Sequence, residues 1–350
     1  MERRMIAIEA NPAGTGKGRP SAAGGGPLDD RLVVSADAAS GARFCFLGEF
    51  GYELISWIPY LLYLKKTLQI RLRTVSRVGS SAVYYFSDDH REVEPALIGG
   101  CWGDMSSYAA LRERFGDDLL IHPGEHRNCV NRRHIEIGGC EWTTRDIHRR
   151  IESSNYTLPD FSFLAPWNPI PDRPLIVINN KHYVQWPDRF DQPVNSFDPD
   201  ALRSLRDLLT SKGYGVVYNH FVESTSIDET LELADRGIFG GDTATFDMRS
   251  MDQSRTAAGQ RNLTQLSLYR AATLVIGPQG GNLYLPAMCR RPVIMLMRCG
   301  DYVDYLELGR LYGVEVEAFY EPRHLLEWLR ARLPQARPAG GDATSQRGTP

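Results

Sequence analysis

Ala271-Ala-Thr-Leu-Val-Ile-Gly-Pro-Gln-Gly-Gly-Asn-Leu-Tyr-Leu-Pro-Ala-Met-Cys-Arg-Arg-Pro-Val-Ile-Met-Leu296 decides the reading of the fold. Residues 273–276 are a short apolar, partly β-branched run, broken by Gly277, Pro278, Gly280 and Gly281. Residues 282–289 read as a short helix and 292–297 as a second buried strand. A strand, glycine turn, helix, strand unit aims a helix start, with its unbonded N–H groups, at the carboxyl end of a parallel sheet. Two adjacent glycines let a ligand approach the backbone closely, which is how a diphosphate is often held. An ordinary tight βα turn reads the same way, so the turn alone leaves both meanings open.

Around this unit the second half alternates strand and helix. Residues 175–179 form a buried strand, and 199–212 a helix with Asp198 as cap, Pro199 at its first position and Gly213 at its end. A strand follows at 215–219, a helix at 263–272, and a last strand and helix at 314–318 and 322–333. This alternation predicts an α/β fold with a parallel, doubly wound sheet. In such sheets ligands bind outside the carboxyl ends of the strands. The polar groups at those ends are Asn179, Asn180, Lys181, His182, Tyr183, Asn219, His220, Gln279, Gly280, Gly281 and Asn282. Lys181 can set a point charge against a phosphate, or it is a solvated loop lysine. Asn219 and His220 can hydrogen-bond a ribose, base or sugar, and Gln279 can reach sugar or phosphate.

The first half opens with a strand at 43–47, followed by the loop Gly48-Glu-Phe-Gly-Tyr52 and a helix over 53–66. Pro59 inside that helix predicts a kink or a later start. Residues 69–75 alternate and read as the next strand, and shorter strand candidates are 83–86, 119–122 and 134–137. Glu49 stands where a strand's carboxyl end faces the cleft between the halves, and a carboxylate there can act as general base on an acceptor hydroxyl. Glu53 either joins it on the acceptor side, with Gly48 and Tyr52, or favours the helix start through the dipole.

The proline-rich stretch 166–174 reads as the linker between a first domain, 43–165, and a second, 175–334. Residues 1–42 and 335–350, rich in Gly, Ala, Pro and Ser, are expected to be disordered tails. At 350 residues the chain is too long for one ordinary core. A formal charge of −3 gives no basic field for nucleic acid. No run approaches the roughly 18 apolar residues of a membrane span. Glu9 interrupts the N-terminal apolar stretch too early for a signal peptide. The expected compartment is the cytoplasm, with all six cysteines as free thiols.

No metal site is expected. His122-Pro-Gly-Glu-His126 matches a zinc-protease string by letters, but Pro123-Gly124 cannot carry the helix that chemistry needs. Ser87-Asp-Asp-His90 offers a carboxylate pair that the doubly wound reading does not require.

At this point the residues show a resemblance. Thr264-Gln-Leu-Ser-Leu-Tyr-Arg-Ala-Ala-Thr-Leu-Val-Ile-Gly-Pro-Gln-Gly-Gly-Asn282 resembles the donor-domain segment of GT-B glycosyltransferases. It is similar to the bacterial surface-polysaccharide type and to the family of plant xylosyltransferases and the EGF-domain N-acetylglucosaminyltransferase. Gly48-Glu-Phe-Gly-Tyr-Glu53 resembles the first-strand loop of bacterial GT-B and O-fucosyltransferase-like proteins. The strand before Asn180-Lys181 resembles the first donor-domain strand.

The resemblance implies two Rossmann-like domains facing a cleft, with a nucleotide-sugar donor held mainly by the second and a saccharide or lipid-linked acceptor by the first. It implies that Gly280, Gly281 and Asn282 hold the diphosphate, that Lys181 neutralises the leaving nucleotide, and that Glu49 is the base. No cofactor beyond the nucleotide sugar is implied, and an acceptor in lipid would make the association with membrane peripheral. The chain departs from the pattern at Gln279, where the plant-type family tends to have histidine, and in lacking an Arg-Arg-Gly-Asp-like loop after the first donor strand. A nucleotide-sugar epimerase on the same scaffold and a non-catalytic glycan- or nucleotide-binding protein remain the alternatives.

Overall fold

The computed structural model describes residues 31–47, 50–93, 105–123, 134–142, 156–180, 194–220, 235–251, 258–300 and 303–336. Folded structure begins earlier than the composition suggested. Strand β1 (Arg31–Val34) and helix α1 (Ala36–Gly41) lie inside the segment expected to be a tail. The low-complexity signal runs into them because α1 is Ala, Ser and Gly apart from Asp37. Ser35 caps this helix by accepting from the Ala38 N–H at 3.2 Å.

After β2 (Arg43–Cys45) the chain turns into α2 (Phe50–Tyr52), widens into a π-helical turn over Glu53–Trp57, and continues as α3 (Ile58–Leu68). The predicted irregularity therefore sits one turn upstream of Pro59. Proline has no N–H and its ring crowds the carbonyl four residues back. The chain accommodates this by passing the Ile58 N–H to the Glu53 carbonyl, a bond one residue longer than an α-helical one.

Strands β3 (Arg73–Arg77), β4 (Asp89–Val93) and β5 (Leu120–Ile121), with α4 (Met105–Phe115) before β5, complete a parallel sheet in the order β4-β3-β2-β5. The segment 83–86 is not the strand its apolar letters predict, but falls in and after a 3-10 turn, Ser81–Tyr84. The Glu92 carboxylate accepts the N–H groups of Gly79 and Ser81 at 3.0 and 2.8 Å and draws the chain into that turn.

A small separate sheet joins β1 to β6 (His134–Ile137) in parallel and β6 to β7 (Cys140–Trp142) in antiparallel pairing. Trp142 from this sheet packs edge-on against Trp57 at 5.2 Å and donates its Nε1–H to Ser56 Oγ at 3.1 Å.

The second half contains every strand and helix its sequence reading named, and adds a strand at Thr245–Asp247 and a helix at Val303–Tyr312, which it did not name. It comprises β8 (Leu175–Asn180), α5 (Pro199–Ser211), β9 (Gly215–His220), β10 (Thr245–Asp247), α6 (Ala258–Ala271), β11 (Ala272–Pro278), a 3-10 turn (Gly281–Leu283), α7 (Tyr284–Met288), β12 (Val293–Leu296), α8 (Val303–Tyr312), β13 (Val316–Phe319) and α9 (Pro322–Arg332). Asp198 caps α5, accepting from the Ala201 N–H at 2.8 Å.

The six strands are all parallel, in the order β10-β9-β8-β11-β12-β13. Counted along the chain, that is the dinucleotide-fold order 3-2-1-4-5-6, whose switch point lies between β8 and β11. Alternate side chains of β8 enter different cores. Ile176 and Ile178 join Leu202, Leu205 and Leu329, whereas Leu175 and Val177 belong to a larger cluster. That larger cluster runs from Phe44 and Trp57 to Tyr269 and Val275, so the two halves share one buried core. Two Rossmann-like domains thus pack against each other, a GT-B-like arrangement.

Candidate functional site

The last two residues of β8 and of β9 are polar and in register, Asn179 beside Asn219 and Asn180 beside His220. All four are nearly inaccessible to solvent. Side chains alternate across the sheet, so the two rows serve opposite faces. On the α6 face, Asn179 Oδ1 accepts from Asn219 Nδ2 at 2.8 Å and from the Tyr269 hydroxyl at 3.0 Å, and Gln265 Nε2 donates to that hydroxyl at 2.6 Å. Asn179 Nδ2 and Gln265 Oε1 make no hydrogen bond within the described residues. A buried donor and acceptor left so are costly, by about 1–3 kcal/mol each, and they lie at the switch point. On the opposite face Asn180 holds Phe197 at both ends, donating to its carbonyl and accepting from its N–H, each at 3.0 Å. Its amide fastens the end of the loop after β8. The His220 ring lies parallel to the Tyr218 ring at 6.0 Å.

The loop after β11 is fixed by hydrogen bonds from three directions. Gln279 N–H donates to the Leu296 carbonyl at 2.8 Å. Gly280 N–H donates to the Tyr305 hydroxyl at 3.0 Å, and Tyr305 stacks on Tyr284 at 4.4 Å. Asn195, 1% exposed, donates to Gln279 Oε1 at 3.2 Å and to the Cys299 carbonyl at 2.8 Å, and accepts from Arg298 N–H at 2.8 Å. One amide thus ties together the loops that follow β8, β11 and β12. Leu283 N–H is the first to bond back into the turn, to the Gly280 carbonyl at 2.9 Å. The Gly281 and Asn282 N–H groups therefore stand at the helix start as its first two donors.

Gly281 also explains its own lack of a side chain. A Cβ there would lie 2.8 Å from the Gly51 nitrogen and 2.9 Å from its Cα. Helix α2, which follows β2, and the 3-10 turn that follows β11 meet backbone to backbone. Gly277 is equally constrained, since a Cβ would fall 2.9 Å from the Asn179 Cβ.

Two residues beyond Gly51, Glu53 is 2% exposed. Burial pushes its carboxyl up to about 7. The Tyr84 hydroxyl, the Arg77 charge and Ser80 pull the other way, and Glu92 adds to the rise. Tyr84 donates to Glu53 Oε1 at 2.6 Å. Glu53 stands in the first turn of the π segment, where the helix-dipole role considered for it also applies, and it is buried there.

Of the residues singled out from sequence, Gly48, Glu49, Lys181, His182 and Tyr183 lie outside the described residues. Tyr52 is half-buried in α2. The structure brings together Asn179, Asn219, Gln279, Gly280, Gly281 and Asn282 at the carboxyl edge, opposite Gly51 to Glu53. Tyr84, Tyr305 and Asn195 were missed, since none stands in a motif and each acts through contacts distant in sequence. Gln265 lies within the 264–282 segment and reaches Tyr269 one helical turn on, but its letter alone did not single it out.

The carboxylates at 88–89 are engaged elsewhere. Asp88 pairs with Lys65 at 2.9 Å and Asp89 with Arg43 at 3.2 Å, while His90 is bonded to Thr74 and Ser76. Among the described residues there is no cluster of three or more His, Cys, Asp or Glu side chains able to hold a metal ion, and no helix long and apolar enough to cross a membrane. Cys45, Cys140, Cys289 and Cys299 are free thiols.

No protein-family model matches the chain, and no curated protein matches it by sequence. Solved structures similar to it include the E. coli ADP-heptose LPS heptosyltransferase II, at 14% identity and a TM-score of 0.49 over 83% of this chain and 97% of that one. A glycosyl transferase family 9 structure from Veillonella parvula DSM 2008 has 12% identity and a TM-score of 0.47, covering 88% and 92%. A structure described as a UDP-N-acetylglucosamine 2-epimerase from Listeria monocytogenes has 15% identity and a TM-score of 0.44, covering 83% and 86%. The fold assignment rests on the strand order of this chain.

Proposed function

We propose that the chain is a glycosyltransferase that moves a glycosyl group from a nucleoside-diphosphate sugar to a saccharide or lipid-linked acceptor without a metal ion. The observation that carries this reading is the meeting of Gly51 and Gly281, which sets the segments leaving the carboxyl ends of two Rossmann-like sheets against each other. Both ligand-binding edges then serve one site. The resemblance of 264–282 to GT-B donor segments, bacterial and plant-type alike, supports the same reading.

In it, the Gly281 and Asn282 N–H groups receive the diphosphate, with Gly280 held in place by Tyr305. Such fixed donors oppose the charge that develops as the nucleotide departs. Lys181 adds the balancing cation. Asn219, Gln279 and His182 line the donor side, and Asn180 shapes it through Phe197. Gly48 and Tyr52 shape the acceptor side. Glu49 or Glu53 takes the acceptor proton, and a carboxyl near 7 suits Glu53 to that step at neutral pH. The protein works in the cytoplasm, at a membrane surface if its acceptor is lipid-linked.

The test is thermal stabilisation by UDP, GDP, CMP, dTDP and ADP species and their sugars, followed by transfer assays with the nucleotide that binds. A ligand that binds the folded state raises the melting temperature. One nucleotide should do so, less in Lys181→Ala, and its sugar should be consumed in an acceptor-dependent way. Epimerised donor without acceptor would replace this reading with an epimerase, and binding without turnover would replace it with a binding protein.

A further inference from the structure

Glu53 is held by a line of contacts whose members have no place in donor binding. Tyr84 donates to Glu53 Oε1 at 2.6 Å, and both residues are 2% exposed. The Tyr84 ring stacks on His90, centroids 4.5 Å apart and planes 15° apart. His90 is fixed in turn by Thr74 Oγ1 at 2.7 Å from Nδ1 and Ser76 Oγ at 3.2 Å from Nε2. Burial pushes His90 down to about 4, so its ring is neutral near pH 7 and brings no charge to the stack. The Thr74 hydroxyl also donates to Ser87 Oγ at 2.7 Å and the Ser76 hydroxyl to the Arg77 carbonyl at 3.2 Å. The turn bearing Tyr84 packs against α6 of the second half, where Asn262 Nδ2 donates to the Gly79 carbonyl. Glu53 and its partner therefore lie at the junction of the halves.

Among the described residues, the other groups facing Glu53 are Ser80 from the same turn, Arg77 at the end of β3 and Glu92 of β4. Arg77 donates to the Leu47 carbonyl at 2.9 Å, and Glu92 accepts two backbone N–H groups. Phenylalanine at 84 would fill the same space and leave a buried carboxylate oxygen short of a donor.

We propose that Tyr84 is the positioning residue for Glu53, its hydroxyl fixing the carboxylate at the domain junction in the form that accepts a proton. What the carboxylate then does rests on the glycosyl-transfer reading with Glu53, rather than Glu49, as the base. The acceptor O–H bond breaks and its proton passes to Glu53. The acceptor oxygen bonds to the anomeric carbon as the bond from that carbon to the diphosphate oxygen breaks, and the nucleoside diphosphate leaves with the electron pair.

The experiment is a difference-infrared pH titration of the full-length protein, with Glu53→Gln identifying the Glu53 carboxyl band. Tyr84→Phe should raise the titration midpoint by about one pH unit, the size expected for one hydrogen bond to a charged group. 3-Fluorotyrosine at position 84, a stronger donor of the same shape, should lower it, and this arm decides if Tyr84→Phe fails to fold. With a donor and acceptor in hand, the acid limb of kcat/KM should move with the midpoint while the donor KM stays unchanged. A midpoint unmoved by the substitutions that fold overturns the proposal. Midpoints that move in a protein that transfers no sugar uphold Tyr84's role and remove the transferase reading.

Discussion

Gly281 sits so close to Gly51 that a single added carbon on the first would lie 2.8 Å from the backbone nitrogen of the second. Neither segment has a flexible side-chain end there that could yield. Gly281→Ala should therefore force the two segments apart. The expected loss of stability is about 1–3 kcal/mol, as for other overpacked positions. Nucleotide binding should weaken with it. Gly240→Ala, with open space around the new carbon, is the control and should stay within about 0.5 kcal/mol in urea denaturation.

Asn180 spends both ends of its amide on Phe197. Asn180→Ala should cost about 1–3 kcal/mol by leaving buried backbone groups unmet, and Asn180→Asp, which has no donor, should also destabilise. Chemical denaturation measures both. Equal stability in Asn180→Ala would show that the clamp is not needed to close the loop after β8.

The Glu53 carboxyl makes folding pH-dependent in an uncommon direction. Its folded value, about 7, lies above the ordinary 4.5. Between those values the folded chain holds a proton that the unfolded chain has released. Stability contributed by Glu53 is thus full below about 4.5 and is lost as pH rises toward 7, by on the order of 3 kcal/mol across the window. Glu53→Gln should flatten that slope. A slope identical to wild type would show that Glu53 titrates normally.

At the amino ends of the first sheet the sign reverses. Arg43, 3% exposed, pairs with Asp118 at 2.6 Å and Asp89 at 3.2 Å, and its guanidinium lies 4.7 Å from the Phe115 ring centroid. Desolvation would raise both carboxyls, but the arginine hydrogen bonds and charges outweigh it and hold them below their ordinary value of 3.8. Their contribution is present above about 3.8 and is lost as pH falls. Arg43→Leu should shrink this acid-side loss, read as a smaller drop in urea midpoint between pH 5 and pH 3 than in wild type.

The second half was readable where its strands are near-continuous apolar runs between strong punctuation, as at β8, β9, β11 and β12; β10, Thr-Phe-Asp, is not such a run and was not foreseen. The Asp198-Pro199 start and Gly213 stop of α5 are local signals with local causes. The first half was readable in part: the expected strands at 43–47, 119–122 and 134–137 and the helix over 53–66 fall on observed elements, whereas β1, α1 and β4 were not foreseen. Strand β4 is Asp-His-Arg-Glu-Val, without apolar alternation, and its place is set by Arg43, Thr74 and Ser76 on neighbouring strands. The same holds at the site. Glycines marked the loop at 279–282, but no letter pattern reveals that Gly281 faces Gly51 or that Tyr84 reaches Glu53. Those pairings exist only once the two sheets are packed.

The π turn at Glu53–Trp57 carries one residue more than an α-helical turn would. Residues on its two sides are therefore out of step by one position, about 100° of helical rotation. Gly51 and Glu53 precede or enter the turn, whereas Tyr60 and Leu64 follow it into the core. Deleting one residue from 53–57 would leave the composition of the helix almost unchanged. It would nonetheless swing its first turn round relative to the buried aromatic face, taking Gly51 off Gly281. The contact between the halves is thus set by a count of residues as much as by their identity.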